Sequence, residues 1–362
     1  MTGLGLGEHA ITLTPVDFAA LDGWRDDDHT LAFHAFGNSC RVAPRDDAAC
    51  AAATALGDDV DGKTARAFFE SHFVPHAVGS EAPGLVTGYY EPEVEGARVN
   101  GARARDARFT VPVYGRPGDL ITIAPESERA RFNDRITGFR ETAGGRVPYY
   151  TRAEIEAGAL DDRRLAGRGL EIVYLDDWIA LFYMQVQGSG LVHLDDGSTV
   201  RLTYAGKNGY PYTSIGKVLI ERGEMGRDEI DMDKVRAWLR ADPERGRTLM
   251  QENRSYVFFR ALGEEEGRDG PLGAEGVKLT PGRSLAIDTA FHALGTPVFV
   301  TAPELQGPDK QTFRRLMIGQ DVGSAISGPQ RGDIFWGTGQ AAGAIAGRTR
   351  HAARFHVLLP KP

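Results

Sequence analysis

Cysteine is nearly absent: the chain carries two, Cys40 and Cys50, ten residues apart. Two cysteines without clustered histidines make no zinc site, and no metal or cofactor is expected. They are either two buried free thiols or a local disulfide, and the second option requires an oxidising compartment. Long hydrophobic runs are missing as well. No stretch approaches the ~20 apolar residues of a membrane-spanning helix. The first residues, MTGLGLGEHAITLTPVDF, lack the charged and apolar regions of a secretory leader, so the segment reads as cytosolic or as a processed form. Charge of one sign is nowhere concentrated. The 42 Lys+Arg and 50 Asp+Glu are interspersed, the net charge is -8, and no basic block or basic helix appears, which makes nucleic acid a poor partner. Internal repeats and low-complexity tracts are also lacking.

What is present is ordinary globular composition: 362 residues, 41% hydrophobic and 25% charged, a length that suggests two domains with sizeable cores. Glycine is the exception. Its 45 copies exceed the usual ~7% and are scattered, which argues for many turns and short strands rather than disorder.

Residues 29–73 read as helical, with one piece near His29–Phe36 and a better one over Thr64–Phe73, where Ala65, Phe68, Phe69 and Phe73 recur behind Asp61. From Gly84 the texture turns to strands. LVTGYYEPEVEG reads as a strand running into a turn, and RFTVPVYGRP as another strand. Thr151 and Glu154 form a capping-box pattern. IVYLDDWIALFYMQVQGSG reads as two apolar β runs split at Asp176-Asp177, and LVHLDDGSTVRLTY as a hairpin turning at Asp195-Asp196-Gly197. Helices are expected near Ser214–Arg222, Asp233–Arg240 and Pro243–Gln251. Beyond a polar loop at 263–276 come short strands near Ser284–Asp288, Pro297–Thr301, Arg314–Asp321, Asp333–Trp336 and Arg354–Leu359, with one small-residue helix, Gly339–Ala346. Many short strands interrupted once by a small helix suggest a barrel rather than a doubly wound sheet.

Three aspartates punctuate the C-terminal part: Asp288 in SLAIDTAFHALGTPVFV, Asp321 in IGQDVGSAISG and Asp333 in RGDIFWGTG. A lone aspartate most often caps a turn, as Asp195 and Asp196 do. Three at strand ends beside small residues fit another arrangement, carboxylates pointing into one cleft that a chain-like ligand approaches closely. Glycosidic bonds are commonly cut by carboxyl groups, because the leaving oxygen must be protonated as an oxocarbenium-like centre forms.

These segments, with VTGYYEP, MQVQGSGLVHLDDGSTVRLTYAGKNGYPYTSIGKVLIERGE and NRSYVFFR, resemble in order and content the membrane-bound lytic murein transglycosylase A family. The resemblance covers most of the chain from Thr87 onward. It implies a mainly β fold with α elements: a double-psi β-barrel catalytic domain with N-terminal helices (residues 1–97 and 262–362, the three-aspartate domain at 280–360) and an inserted domain of strands and helices (98–261). A long glycan is expected in the groove between them. By position in the motif, the catalytic acid is Asp333, supported by Asp321 and Asp288. Gly332 departs from the family, which often carries an aromatic residue or isoleucine there. The matching motifs place Thr87, Gly88, Tyr89, Tyr90, Gln187, Gly188 and Trp336 along the sugar groove, although Tyr90 and Trp336 also fit a strand core. Glu91 is a rival carboxylate in the same motif.

The implied reaction is cleavage of peptidoglycan between N-acetylmuramic acid and N-acetylglucosamine, without water, to a 1,6-anhydro end. One Asp acting as acid and then base requires a pKa above the free value of ~3.9, supplied by burial or by a neighbouring anion, Asp321 or Asp288. The alternatives are an inverting glycoside hydrolase with a second Asp as base, and a glycan-binding module without catalysis. The family further implies a monomer in the periplasm, held at the outer membrane through a lipidated N-terminal Cys; none precedes residue 40 here. In that compartment Cys40 and Cys50 would pair.

Overall fold

In the computed structural model, which describes residues 11–42, 48–79, 83–99, 108–122, 136–160 and 169–362, the chain starts on a short strand, β1 (Leu13–Pro15). Residues 1–10, part of the segment read for a leader, lie outside the described residues. Three helices follow: α1 (Thr30–Val42), α2 (Ala48–Leu56) and α3 (Gly62–His72). Local chemistry sets α3, because the Asp61 carboxylate accepts the Thr64 N–H at 2.7 Å and Ala65, Phe68 and Phe69 share its buried face. Helix α1 runs past Phe36 to Val42, since Ser39 and Cys40 continue its buried side. Trp24, Phe33, Phe36, Phe68, Phe69 and Phe73 pack with Phe299, Leu316 and Ile318 into one core.

Cys40 and Cys50 are joined by a disulfide that ties α1 to α2. Closing so short a loop stabilises the fold by about 2–3 kcal/mol, chiefly by restricting the unfolded chain. Replacing both cysteines by alanine should therefore lower the unfolding free energy in urea by that amount, with an m-value equal to or slightly above the parent's because the unfolded chain is released. A midpoint within error of the parent would remove the disulfide from the account of stability.

Strands β2 (Phe73–Val78) and β3 (Gly84–Glu91) complete the N-terminal part. Past Pro92 the chain stays extended as β4 (Glu93–Arg98) instead of turning. Next come β5 (Val111–Tyr114), β6 (Ile121–Thr122), β7 (Gly138–Thr142) and β8 (Gly145–Pro148). Thr151 opens α4 (Arg152–Glu156) with a full capping box, the Glu154 carboxylate accepting the Thr151 N–H at 2.7 Å. Strand β9 (Glu171–Leu175) follows.

The second apolar run is a helix, α5 (Trp178–Gln187), and not the strand its composition suggests. Asp177 caps its start, accepting the Ile179 N–H at 2.9 Å, and Gly188 ends it at φ 84. Six of its ten residues, Ile179 and Leu181 to Gln185, are buried around nearly the whole circumference, which erases the helical period from the sequence.

The hairpin of β10 (Ser189–Leu194) and β11 (Thr199–Lys207) turns at Gly197 as expected. Helices α6 (Ile215–Glu221), α7 (Met232–Ala241) and α8 (Pro243–Glu252) are capped by Ser214, Asp231 and Asp242, and β12 (Val257–Ala261) follows. The C-terminal part holds β13 (Ser284–Ala286), β14 (Pro297–Gln306), β15 (Thr312–Asp321), β16 (Arg331–Thr338), α9 (Gly339–Ala346) and β17 (Arg350–Pro360).

The fold is mixed α/β and mostly sheet. Two compact units form: Met1–Tyr90 with Leu272–Pro362, and Glu91–Pro271. In the first, eight strands run in the order β1-β2-β17-β14-β15-β13-β16-β3, and β17 pairs additionally with β3. The second holds a six-stranded sheet, β12-β11-β10-β4-β9-β5, and a three-stranded one, β6-β7-β8.

Candidate active site

Strand β13 is only three residues long, yet it brings two of the three aspartates together. It pairs with β15 on one side and β16 on the other, and Ala286 lies opposite both Asp321 and Asp333. The register slips on the β15 side: Leu285 faces Gly319 while Ala286 faces Asp321, leaving Gln320 as the extra residue. Such a bulge re-aims a side chain. Gln320 is fully buried and bonds Ser284 Oγ at 2.6 Å, Ser39 Oγ at 2.9 Å and the Ala35 carbonyl at 2.8 Å. With Gln320 anchored towards α1, Asp321 is freed to face β16.

The environments of the two carboxylates differ. Asp321 Oδ1 accepts the Ala274 and Val322 N–H groups, both at 2.9 Å, and Oδ2 accepts the Tyr89 hydroxyl at 2.8 Å. Burial raises its pKa above the usual value, and those three donors pull it back. Among the described residues the Asp333 carboxyl accepts one bond, from Thr87 Oγ1 at 2.6 Å. Burial pushes its pKa up to about 6; Thr87 and Arg331 oppose that rise, and the Asp321 charge adds to it. Three donors against one favour the charged form more strongly at Asp321 than at Asp333. Paired carboxyl groups split into roles in this way when their surroundings differ.

Asp288 is committed to its own turn. Its Oδ1 accepts the Ala290 N–H at 3.0 Å, and its Oδ2 the Gly328 N–H at 2.7 Å. His292 fastens the same turn to the Pro329 carbonyl at 2.7 Å. Asp288 therefore holds the loop that feeds β16, and the anion beside Asp333 is Asp321. Glu91 is fully buried and pairs with Arg201 at 2.8 Å, which accounts for it as a structural ion pair of the second unit.

Of the residues expected along a sugar groove, several are core. Trp336 is 6% exposed and packs edge-on against Phe313; Tyr90 is 4% exposed. Gly88 has no room for a side chain, since a Cβ would lie 2.6 Å from Trp336 Nε1. Tyr89 is buried against Phe335, and its hydroxyl serves Asp321 rather than solvent. Thr87 is partly exposed, and its hydroxyl is bonded to Asp333. Gln187 ends α5 in the second unit, partly exposed, and Gly188 is its left-handed cap. The space that a larger residue at 332 would fill is occupied by Leu285 and Phe355, 2.8 and 3.1 Å from a Cβ placed on Gly332.

Arg331 escaped the sequence reading. Its Nη2 donates to Thr87 Oγ1 at 2.8 Å and its Nη1 to the Gly332 carbonyl. The only signal was a basic residue two positions before Asp333, on the same face of a strand. Among the described residues no cluster of His, Cys, Asp and Glu is arranged to hold a metal ion.

Two family models match the chain. Residues 85–260 match the model of the MltA specific insert domain, and residues 283–359 that of the 3D domain. A membrane-bound lytic murein transglycosylase A from Vibrio cholerae is 34% identical over 275 residues, 75% of this chain and 64% of that protein. The chain thus spans less than two thirds of the length of that relative. The crystal structure of a membrane-bound lytic murein transglycosylase from Agrobacterium tumefaciens superposes with a TM-score of 0.84 at 35% identity, covering 96% of this chain and 98% of that one. Escherichia coli MltA with bound chitohexaose superposes at 0.68 with 28% identity, covering 99% and 96%.

Proposed function

Because the chain belongs to the membrane-bound lytic murein transglycosylase A family, we propose that it cleaves peptidoglycan between N-acetylmuramic acid and N-acetylglucosamine with Asp333 as its single acid and base. The observation that carries the reading is Asp333 itself: a carboxyl raised to about 6, with one donor among the described residues, beside an Asp321 whose charged form three donors favour.

Protonated Asp333 donates to the glycosidic oxygen as the bond to muramic C1 breaks. The charge on Asp321 favours the developing oxocarbenium ion. Asp333, now ionised, takes the proton of the muramic C6 hydroxyl as that oxygen bonds to C1. The products are a free 4-hydroxyl and a 1,6-anhydro ring, no water is consumed, and Asp333 ends protonated as it began. A relative binding chitohexaose supports a β-1,4-linked amino-sugar chain as substrate. Mass spectrometry of fragments released from purified sacculi tests this directly: anhydro ends are expected, and reducing ends would make the enzyme a hydrolase.

The proton's position sets a pH dependence. The reactive form of the free enzyme carries the proton, so kcat/KM should be flat below about pH 6 and fall about tenfold per unit above it. Asp321→Asn removes a charge that raises the Asp333 pKa, so this alkaline limb should move to lower pH. A profile that rises through pH 6 would give Asp333 the opposite protonation state and end the scheme.

The same family membership extends the proposal in three ways. The sheet of the first unit forms a double-psi β-barrel; the added pairing of β17 with β3, which turns the sheet back on itself, supports this. That unit carries the catalysis, and the inserted unit contributes glycan binding. The protein works as a monomer in the periplasm, associated with the outer membrane; the Cys40–Cys50 disulfide suits that oxidising compartment.

A further inference from the structure

Thr87 and Arg331 form a hydrogen-bonded pair behind the reactive carboxyl. Arg331 Nη2 reaches Thr87 Oγ1 at 2.8 Å, and Thr87 Oγ1 reaches Asp333 Oδ1 at 2.6 Å. A guanidinium only donates, whereas a hydroxyl has one proton and two lone pairs. Arg331 therefore occupies a lone pair of Thr87, and the hydroxyl proton is left to point at Asp333. The second fork nitrogen of Arg331 holds the Gly332 carbonyl on its own strand, which fixes the direction from which the guanidinium comes. Thr87 sits on β3, opposite Arg350 of β17, and both partners of its hydroxyl lie on β16.

We propose that Thr87, locked by Arg331, is a positioning residue that reserves Asp333 Oδ1 as an acceptor and so confines the working proton to Oδ2. A proton on Oδ1 would face the Thr87 hydroxyl proton and leave one of the two without an acceptor, a cost on the order of tenfold to hundredfold in population. Oδ2 accepts no bond among the described residues. It is the oxygen that can donate to the glycosidic oxygen and then receive the C6 hydroxyl proton without turning the carboxyl. One oxygen thus does both jobs, which suits an enzyme with a single acid and base.

The proposal rests on the transglycosylase reading, and its test separates the two. The charged and titratable groups around Asp333 are Arg331 on its own strand, Asp321 at the end of β15, Tyr89 on β3 and, behind Arg331, Arg350 on β17. The Thr87 bond favours the ionised carboxyl, so its removal should raise the Asp333 pKa. Thr87→Val should lower kcat 10- to 100-fold at pH 5 with KM within about twofold, because the carboxyl loses its fixed orientation. It should also move the alkaline limb to higher pH. Thr87→Ser, which restores the hydroxyl, should recover both. Arg331→Met should move the limb in the same direction and serves as the second variant if Thr87→Val does not fold.

The Asp333 titration is followed in the folded protein by carboxyl ¹³C NMR, assigned by the signal missing from Asp333→Asn. That readout is independent of turnover, so a parent without anhydro products would sink the functional reading and still leave this proposal decided. An unmoved titration in both Thr87→Val and Arg331→Met, or a Thr87→Ser variant as slow as Thr87→Val, overturns it.

Discussion

Asp333→Asn should lose about 10³-fold in turnover on sacculi while binding glycan within a few-fold of the parent. The amide keeps the shape of the carboxyl and can still accept the Thr87 hydroxyl, now at 2.6 Å from Oδ1. It has no proton acidic enough to give the leaving oxygen and no basicity to take one from the C6 hydroxyl. General acid–base catalysis is worth about 10²–10⁴-fold, and a residue that acts twice belongs near the upper end. Asp288→Asn should be far milder, because its carboxylate serves backbone N–H groups in a turn. Asp321→Asn should fall between, since it removes a nearby charge and leaves the acid in place. In a hydrolase with a dedicated base, Asp321→Asn would be nearly as damaging as Asp333→Asn. Full activity in Asp333→Asn ends the assignment.

The same substitution should make the protein more stable at neutral pH. The folded-state pKa of Asp333 is raised from 3.8 to about 6, so the proton is bound more tightly in the folded chain. Its contribution to stability is complete below the unfolded value and is lost as pH rises through the folded one. Above pH 6 the parent folds with an ionised carboxyl that its partly buried site disfavours, by roughly 2 kcal/mol. Asparagine carries no such charge. The gain should therefore appear between pH 4 and pH 6 and persist above, which separates a site kept for chemistry from one kept for packing.

Much of this arrangement was legible from residues, and the limits have physical causes. Asp333 and Asp321 were marked by their strand ends and small neighbours, and the α9 helix by its run of small residues. What made Asp321 rather than Asp288 the partner was a one-residue slip between β13 and β15. A bulge has no signature in a sequence whose strands alternate only loosely. The Thr87 hydroxyl meets a carboxylate 246 positions away, a contact that no local pattern discloses. Tyr90 and Trp336 illustrate a related ambiguity, since an aromatic on a short strand serves core and groove equally well until burial decides. The α5 run misled for the opposite reason: a helix buried on nearly all sides shows no period, and only Asp177 and Gly188 at its ends disclosed it.

The largest stability effect is expected at a pair that braces the site from behind. Arg283 immediately precedes β13, and its guanidinium meets the Asp27 carboxylate at 2.8 and 2.7 Å. It also donates to the carbonyls of Leu316 at 2.9 Å and Asp28 at 2.6 Å, while Asp27 accepts the Leu316 N–H at 2.8 Å. The two side chains are 5% and 3% exposed, so removing either leaves the other charge buried. That loss costs about 3–5 kcal/mol, more than the Coulombic value of the pair itself, because desolvation is no longer compensated. Asp27→Ala should therefore destabilise the first unit by that amount in urea unfolding. Asp27→Leu combined with Arg283→Met should cost clearly less than the sum of the single changes, since the stranded charge is then gone. Because Arg283 anchors the strand whose Ala286 faces both Asp321 and Asp333, the single variants should also lower kcat at temperatures where they remain folded. An Asp27→Ala protein within 1 kcal/mol of the parent would mean that solvent reaches Arg283 and that the brace is not a buried one.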